Sequence, residues 1–110
     1  MSVSHLTTHV LDAVQGLPAP GVPVQLFASD GSLIAESVTD ADGRAKQLGP
    51  EQLEPGVYRL RFDTGAYFAA RSIPTFYPEA VLAFVIDDVD RHYHVPLLLS
   101  PFAYSTYRGS

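Results

Sequence analysis

Residues 22–44 read VPVQLFASDGSLIAESVTDADGR, two short apolar runs closed by two glycine turns. Val22 to Ala28 and Leu33 to Thr39 are rich in β-branched and aromatic residues and too short for helices. Asp30-Gly31 lies between the runs and Ala41-Asp42-Gly43 follows the second; both are tight-turn sequences in which glycine takes a positive φ. The spacing predicts antiparallel neighbours in this part of the chain.

Outward from this stretch the same punctuation recurs about every ten residues: Gly16 with Pro18 and Pro20, Gly49-Pro50, Pro55-Gly56, Pro74, Pro78 and Pro101. Between these breaks lie further β-rich runs at Leu6 to Leu11, Val57 to Phe62, Ala80 to Ile86, Tyr93 to Leu99 and Ala103 to Tyr107. Seven or eight short strands at this spacing predict an all-β sandwich or barrel. Thr64 to Arg71 (TGAYFAAR) departs from the pattern: it lacks β-branched residues after Thr64 and reads as a helix of two turns capped by Thr64.

The chain has 110 residues, 46% of them hydrophobic and 17% charged, which favours one globular domain spanning 1–110 over disorder. It has no cysteine, so disulfides and thiolate-bound metal are excluded. A monomer of this size buries only about two-thirds of the surface of its unfolded chain, so the core is small and self-association would enlarge it. Seven basic against twelve acidic residues, a net charge of −5, argues against nucleic acid or an anionic membrane as partner. Ala80 to Ile86, the longest apolar run, is far short of the roughly 20 residues that span a bilayer. The N-terminal MSVSHLTTHV carries neither a basic region nor an apolar signal core, and the expected location is the cytoplasm.

Four histidines fall in two strand segments. Side chains alternate along a strand, so His5, Thr7, His9 and Leu11 share one side, and His92 and His94 project together around Tyr93. A His-x-His pair can hold zinc, pack, or carry protons, and no third ligand at fixed spacing singles out a metal. Asp40-Ala41-Asp42-Gly43 faintly resembles the start of a calcium loop but lacks its remaining acidic positions, and a turn is the simpler reading. Arg44 just after it is either a solvated cation or a rigid fork for a planar anion. Asp87, Asp88 and Asp90 read as a solvated connection. There is no Gly-x-Ser-x-Gly elbow and no phosphate loop.

The strings Leu6-Thr7-Thr8-His9-Val10-Leu11-Asp12, Thr39 to Arg44 and Phe76-Tyr77-Pro78-Glu79, and above all HYHVPLLLSPFAYSTYRGS at 92–110, resemble the 5-hydroxyisourate hydrolases, the transthyretin-related proteins of urate catabolism. The likeness runs from Leu6 to Ser110, departing slightly at Ala103, where many members have glycine. It implies a mainly β, transthyretin-like sandwich of two four-stranded sheets with one short α-helix. It also implies a homotetramer, a dimer of dimers with active sites in the groove between dimers.

The activity it implies is ring-opening hydrolysis of 5-hydroxyisourate to 2-oxo-4-hydroxy-4-carboxy-5-ureidoimidazoline, with no cofactor and no metal. The family's catalytic positions fall on His9, Arg44, His94 and Ser110, and its substrate-binding positions on Arg44 and Ser110 with their supporting neighbours His92 and Tyr107. Two histidines suit activation of water and proton relay, Arg44 suits a substrate clamp, and Ser110 offers a hydroxyl and, as the last residue, a carboxylate. Two rival readings remain. One is a noncatalytic small-ligand carrier on the same fold. The other is a β-sandwich interaction module, since Gly16 to Arg61 taken alone also resembles prealbumin-like repeat domains.

Overall fold

A computed structural model of the protein describes residues 4–109. Its strands are β1 (Leu6–Asp12), β2 (Leu17–Pro18), β3 (Pro23–Phe27), β4 (Leu33–Val38), β5 (Arg44–Ala45), β6 (Gly56–Phe62), β7 (Ala80–Ile86), β8 (Tyr93–Ser100) and β9 (Ala103–Thr106), with one helix, α1 (Thr64–Ala69), between β6 and β7. The expected hairpin at Asp30-Gly31 forms: β3 and β4 pair antiparallel, Ala28 N–H donates to Ser32 O at 2.9 Å, and Gly31 holds φ +88°. β6 and β7 extend this sheet in the order β4-β3-β6-β7, antiparallel throughout.

The second sheet runs β2-β1-β8-β9, with β5 pairing β1 as a fifth strand. Four strands were expected in each sheet; β2 (Leu17–Pro18) and β5 (Arg44–Ala45) both lie outside the expected runs, each too short to show any periodicity, and β5 makes the fifth strand. It exists because the turn at 40–43 does not close a hairpin onto β4. The chain instead crosses to the other sheet, where Val10 N–H donates to Gly43 O at 2.7 Å and Arg44 pairs with His9. Gly43 holds φ +75°, and a Cβ there would lie 2.3 Å from the Val10 carbonyl oxygen. Only glycine permits this approach.

Alternation along the strands builds the core between the sheets. Leu6, Val10, Val24, Leu26, Leu60, Phe62, Leu97 and Leu99 point inward and are buried, while Thr7, His9 and Leu11 stay on the outer face of β1. His5, expected beside His9, does not share that face. It precedes β1 and is only 3% exposed, donating from Nε2 to Arg91 O at 2.6 Å and accepting at Nδ1 from Leu53 N–H at 2.8 Å. Both ring nitrogens are thereby occupied, and His5 is a structural residue.

α1 forms within the expected segment but is capped by Asp63, whose carboxylate accepts from Ala66 N–H at 3.0 Å. Thr64 is buried and spends its hydroxyl on Tyr77 O. Tyr67 donates its hydroxyl to the buried Asp12 carboxylate at 2.8 Å, whose other oxygen accepts from Val14 and Gln15 N–H. Burial beside that carboxylate pushes the Tyr67 phenol up to about 12. This network fixes α1 against the end of β1. Among the described residues no helix is long and apolar enough to cross a membrane.

Candidate active site

The two central strands of the second sheet, β1 and β8, run parallel, which no local turn encodes. Their register sets Thr7 opposite His94 and His9 opposite Pro96, while β5 sets Arg44 opposite His9. Residues opposite one another project on the same face. Three of the candidates read from the sequence, His9, Arg44 and His94, therefore meet on the outer face of one sheet, although they come from distant parts of the chain.

Backbone groups orient them. His9 donates from Nε2 to Asp42 O at 2.9 Å, which leaves Nδ1 of the neutral ring unprotonated. The turn supplying that carbonyl is wound by Asp40, whose carboxylate accepts from Asp42 N–H at 2.9 Å and Arg44 N–H at 3.0 Å. These bonds, chiefly the one from Arg44, hold the Asp40 carboxyl below its ordinary range. The Asp40-Ala41-Asp42-Gly43 sequence is thus a turn that aims both His9 and Arg44.

Thr7 joins the remaining histidines. Its hydroxyl lies 2.9 Å from His92 Nε2 and 2.9 Å from His94 Nδ1. These groups line a cleft of about 250 Å³ with Arg44 and Lys46. His94 is half-buried, and its imidazole is held below the ordinary 6.5, first by desolvation and then by the charges of Arg44, His9 and His92. At neutral pH the ring is uncharged and able to accept a proton. Two cations lining this cleft, in a chain of net charge −5, favour an electron-rich or anionic ligand.

A second cleft of about 390 Å³ opens on the other side of His94, between Phe84, Tyr93, Tyr107 and Arg108. Tyr107 is exposed and lines this cleft rather than the one holding Arg44. The boundary follows from Pro96: regular pairing of β9 with β8 ends at Leu97–Thr106, because Pro96 has no N–H to give the Tyr107 carbonyl. Pairing resumes only where Gly109 N–H donates to His94 O at 2.8 Å. There a Cβ on Gly109 would lie 2.6 Å from His94 Cδ2.

Gly109→Ala is therefore expected to turn the His94 ring while leaving the melting temperature within a few degrees of wild type. A displacement near 1 Å at a reacting group costs about 10²-fold. Turnover measured beside a thermal melt separates this from a fold defect.

Ser110 lies outside the described residues. The sequence pattern does not single out Thr7, Lys46 or Gly109; alternation puts Thr7 on the side of His9, but only the β1–β8 register brings it to His94. Asp87, in the acidic connection, accepts from Tyr93 Oη at 2.7 Å, and Asp88 accepts from Asp90 N–H, as suits a folded turn. Among the described residues no three His, Cys, Asp or Glu are grouped to hold a metal ion.

Comparison with known proteins gives one consistent result. The HIUase/Transthyretin family model matches residues 6–109. The 5-hydroxyisourate hydrolase of Pseudomonas aeruginosa is 47% identical, the match covering 98% of this chain and 93% of that one. The structure of Klebsiella pneumoniae 5-hydroxyisourate hydrolase superposes with a TM-score of 0.89 at 41% identity and full coverage of both chains. Sea bream transthyretin in complex with thyroxine also superposes, at a TM-score of 0.86 and 39% identity, covering 94% of this chain and 93% of that one.

Proposed function

Because the chain belongs to the HIUase/Transthyretin family, we propose that it hydrolyses 5-hydroxyisourate, opening the ring by attack of an activated water on a ring carbonyl. Fold similarity alone does not choose between hydrolase and carrier, since the Klebsiella hydrolase and the sea bream transthyretin superpose almost equally well. The observation that carries the choice is the convergence of His9, Arg44 and His94 on one outer sheet face, where Arg44 and His94 line a cleft together with His92 and Lys46. A channel for an apolar ligand has no use for two oriented imidazoles and a guanidinium.

His94, uncharged at neutral pH, takes a proton from water through Nε2, the nitrogen not engaged with Thr7. Arg44 holds the planar substrate in its guanidinium fork and stabilises the charge developing on the attacked oxygen. His9, locked by the Asp42 carbonyl, offers Nδ1 as a second proton acceptor. His92 acts behind His94, Tyr107 contacts the substrate from the second cleft, and Ser110 contributes its hydroxyl. No cofactor or metal enters these steps.

The reading carries with it a single catalytic domain spanning 1–110, working in the cytoplasm as a homotetramer built from two dimers. Exposed Val14, Leu17, Phe76 and Phe102 support association.

Absorbance of freshly generated 5-hydroxyisourate, followed with and without the protein beside a thyroxine titration, tests the proposal. Accelerated decay without thyroxine binding is the expected result; thyroxine binding without acceleration would establish the carrier.

The rate also has an expected pH dependence. The base is neutral His94, and burial with Arg44, His9 and His92 nearby lowers its proton affinity, so the active form persists further into acid than for a free imidazole. The acid limb of kcat/KM should have its midpoint below 6.5. A midpoint at or above that value would exclude His94 as the base.

A further inference from the structure

We propose that Thr7 is a positioning residue that couples the protonation of His94 to that of His92, its hydroxyl forming the middle of a three-member proton chain. The inference rests on the hydrolase reading, in which His94 Nε2 meets the water. Its basis is arithmetic on donors. A threonine hydroxyl has a single proton, yet Thr7 Oγ1 stands 2.9 Å from both His92 Nε2 and His94 Nδ1. It can donate to only one of them, so the other nitrogen must carry the proton of its own bond.

Two arrangements satisfy both bonds with neutral rings. In one, His94 Nδ1–H donates to Thr7 and Thr7 donates to His92 Nε2, which leaves His94 Nε2 bare and ready to accept. In the other, His92 Nε2–H donates to Thr7 and Thr7 donates to His94 Nδ1, which puts a proton on His94 Nε2. The hydroxyl thus forces both rings into the same tautomer.

During attack the hydrogen bonds of the first arrangement shift to those of the second, with His92 now holding a proton on each ring nitrogen, and the protons balance. Water gives a proton to His94 Nε2, His94 Nδ1–H passes its proton to Thr7 Oγ1, and the Thr7 proton moves to His92 Nε2. One positive charge then stands on His92 against the negative charge formed on the substrate. His92 is solvent-exposed, whereas His94 is half-buried and faces Arg44, Lys46 and His9, so the charge comes to rest on the better-hydrated ring. Reversal of the chain returns a proton through His94 Nε2 to the departing ring nitrogen.

The test combines ¹⁵N resonances of the His92 and His94 ring nitrogens, recorded on the substrate-free protein at neutral pH, with hydrolysis rates of Thr7→Val and Thr7→Ser. Wild type and Thr7→Ser should show the same tautomer at both rings and keep most of the rate. Thr7→Val, matched in shape and on the outer face of β1, should uncouple the tautomers and lose about 10²-fold or more in turnover with assembly intact. Unlike tautomers in wild type, or a Thr7→Val protein with wild-type tautomers and rate, would overturn the proposal. Because the resonances need no substrate, failure of the coupling is distinguishable from failure of the hydrolase reading, which the wild-type rate reports.

Discussion

His94→Ala is expected to abolish most turnover of 5-hydroxyisourate, by about 10²- to 10⁴-fold, without dissociating the assembly. The side chain lies on the outer face of β8, so its removal leaves the packing between the sheets intact. What disappears is the uncharged imidazole bonded to Thr7. His9→Ala should fall in the same range or somewhat above it, because His9 is aimed by one backbone carbonyl rather than by a chain of groups. The measurement is the absorbance decay of fresh substrate beside light scattering for assembly. A rate within a few-fold of wild type for either variant removes that histidine from the chemistry.

Gly43→Ala is expected to cost both stability and activity. A left-handed φ costs an ordinary residue about 1–2 kcal/mol. The added Cβ would lie 2.3 Å from Val10 O and 3.1 Å from Ala19 N, both backbone atoms unable to swing aside. Opening that contact also endangers the Val10–Gly43 bond, worth about 1 kcal/mol. The two terms together are about 2–3 kcal/mol, a fall in melting temperature of about 10 °C or more for a domain of this size. The same shift would draw Arg44 and the Asp42 carbonyl away from His9, so turnover per folded molecule falls as well. Gly31→Ala is the control: its φ of +88° carries a similar strain, but its added Cβ meets nothing within 4 Å. Equal losses in the two variants would show that docking of the turn onto β1 contributes nothing.

Much of the architecture is legible one segment at a time. Val22 to Thr39 encodes its hairpin because turn chemistry and strand alternation both act within a few residues. The helix segment is equally readable from its lack of β-branching, although its cap moves one residue to Asp63 because Tyr77 claims the Thr64 hydroxyl. The turn at 40–43 is legible as a turn, but its destination is not, since the same Asp-Gly chemistry serves a hairpin or a crossing between sheets. His5 shows the limit of alternation: the rule holds within β1, and His5 stands one residue before it.

By itself the sequence determined the local alphabet of this protein: short strands, tight turns, one brief helix, and the histidines, arginine and tyrosines available for a site. Long-range packing set β1 and β8 parallel, carried Arg44 across to pair with His9, and put one threonine hydroxyl between His92 and His94. The physical reason is range. Propensity and alternation are properties of neighbouring residues, whereas strand partners are selected by burial of the whole apolar set and by satisfaction of backbone hydrogen bonds across the entire chain.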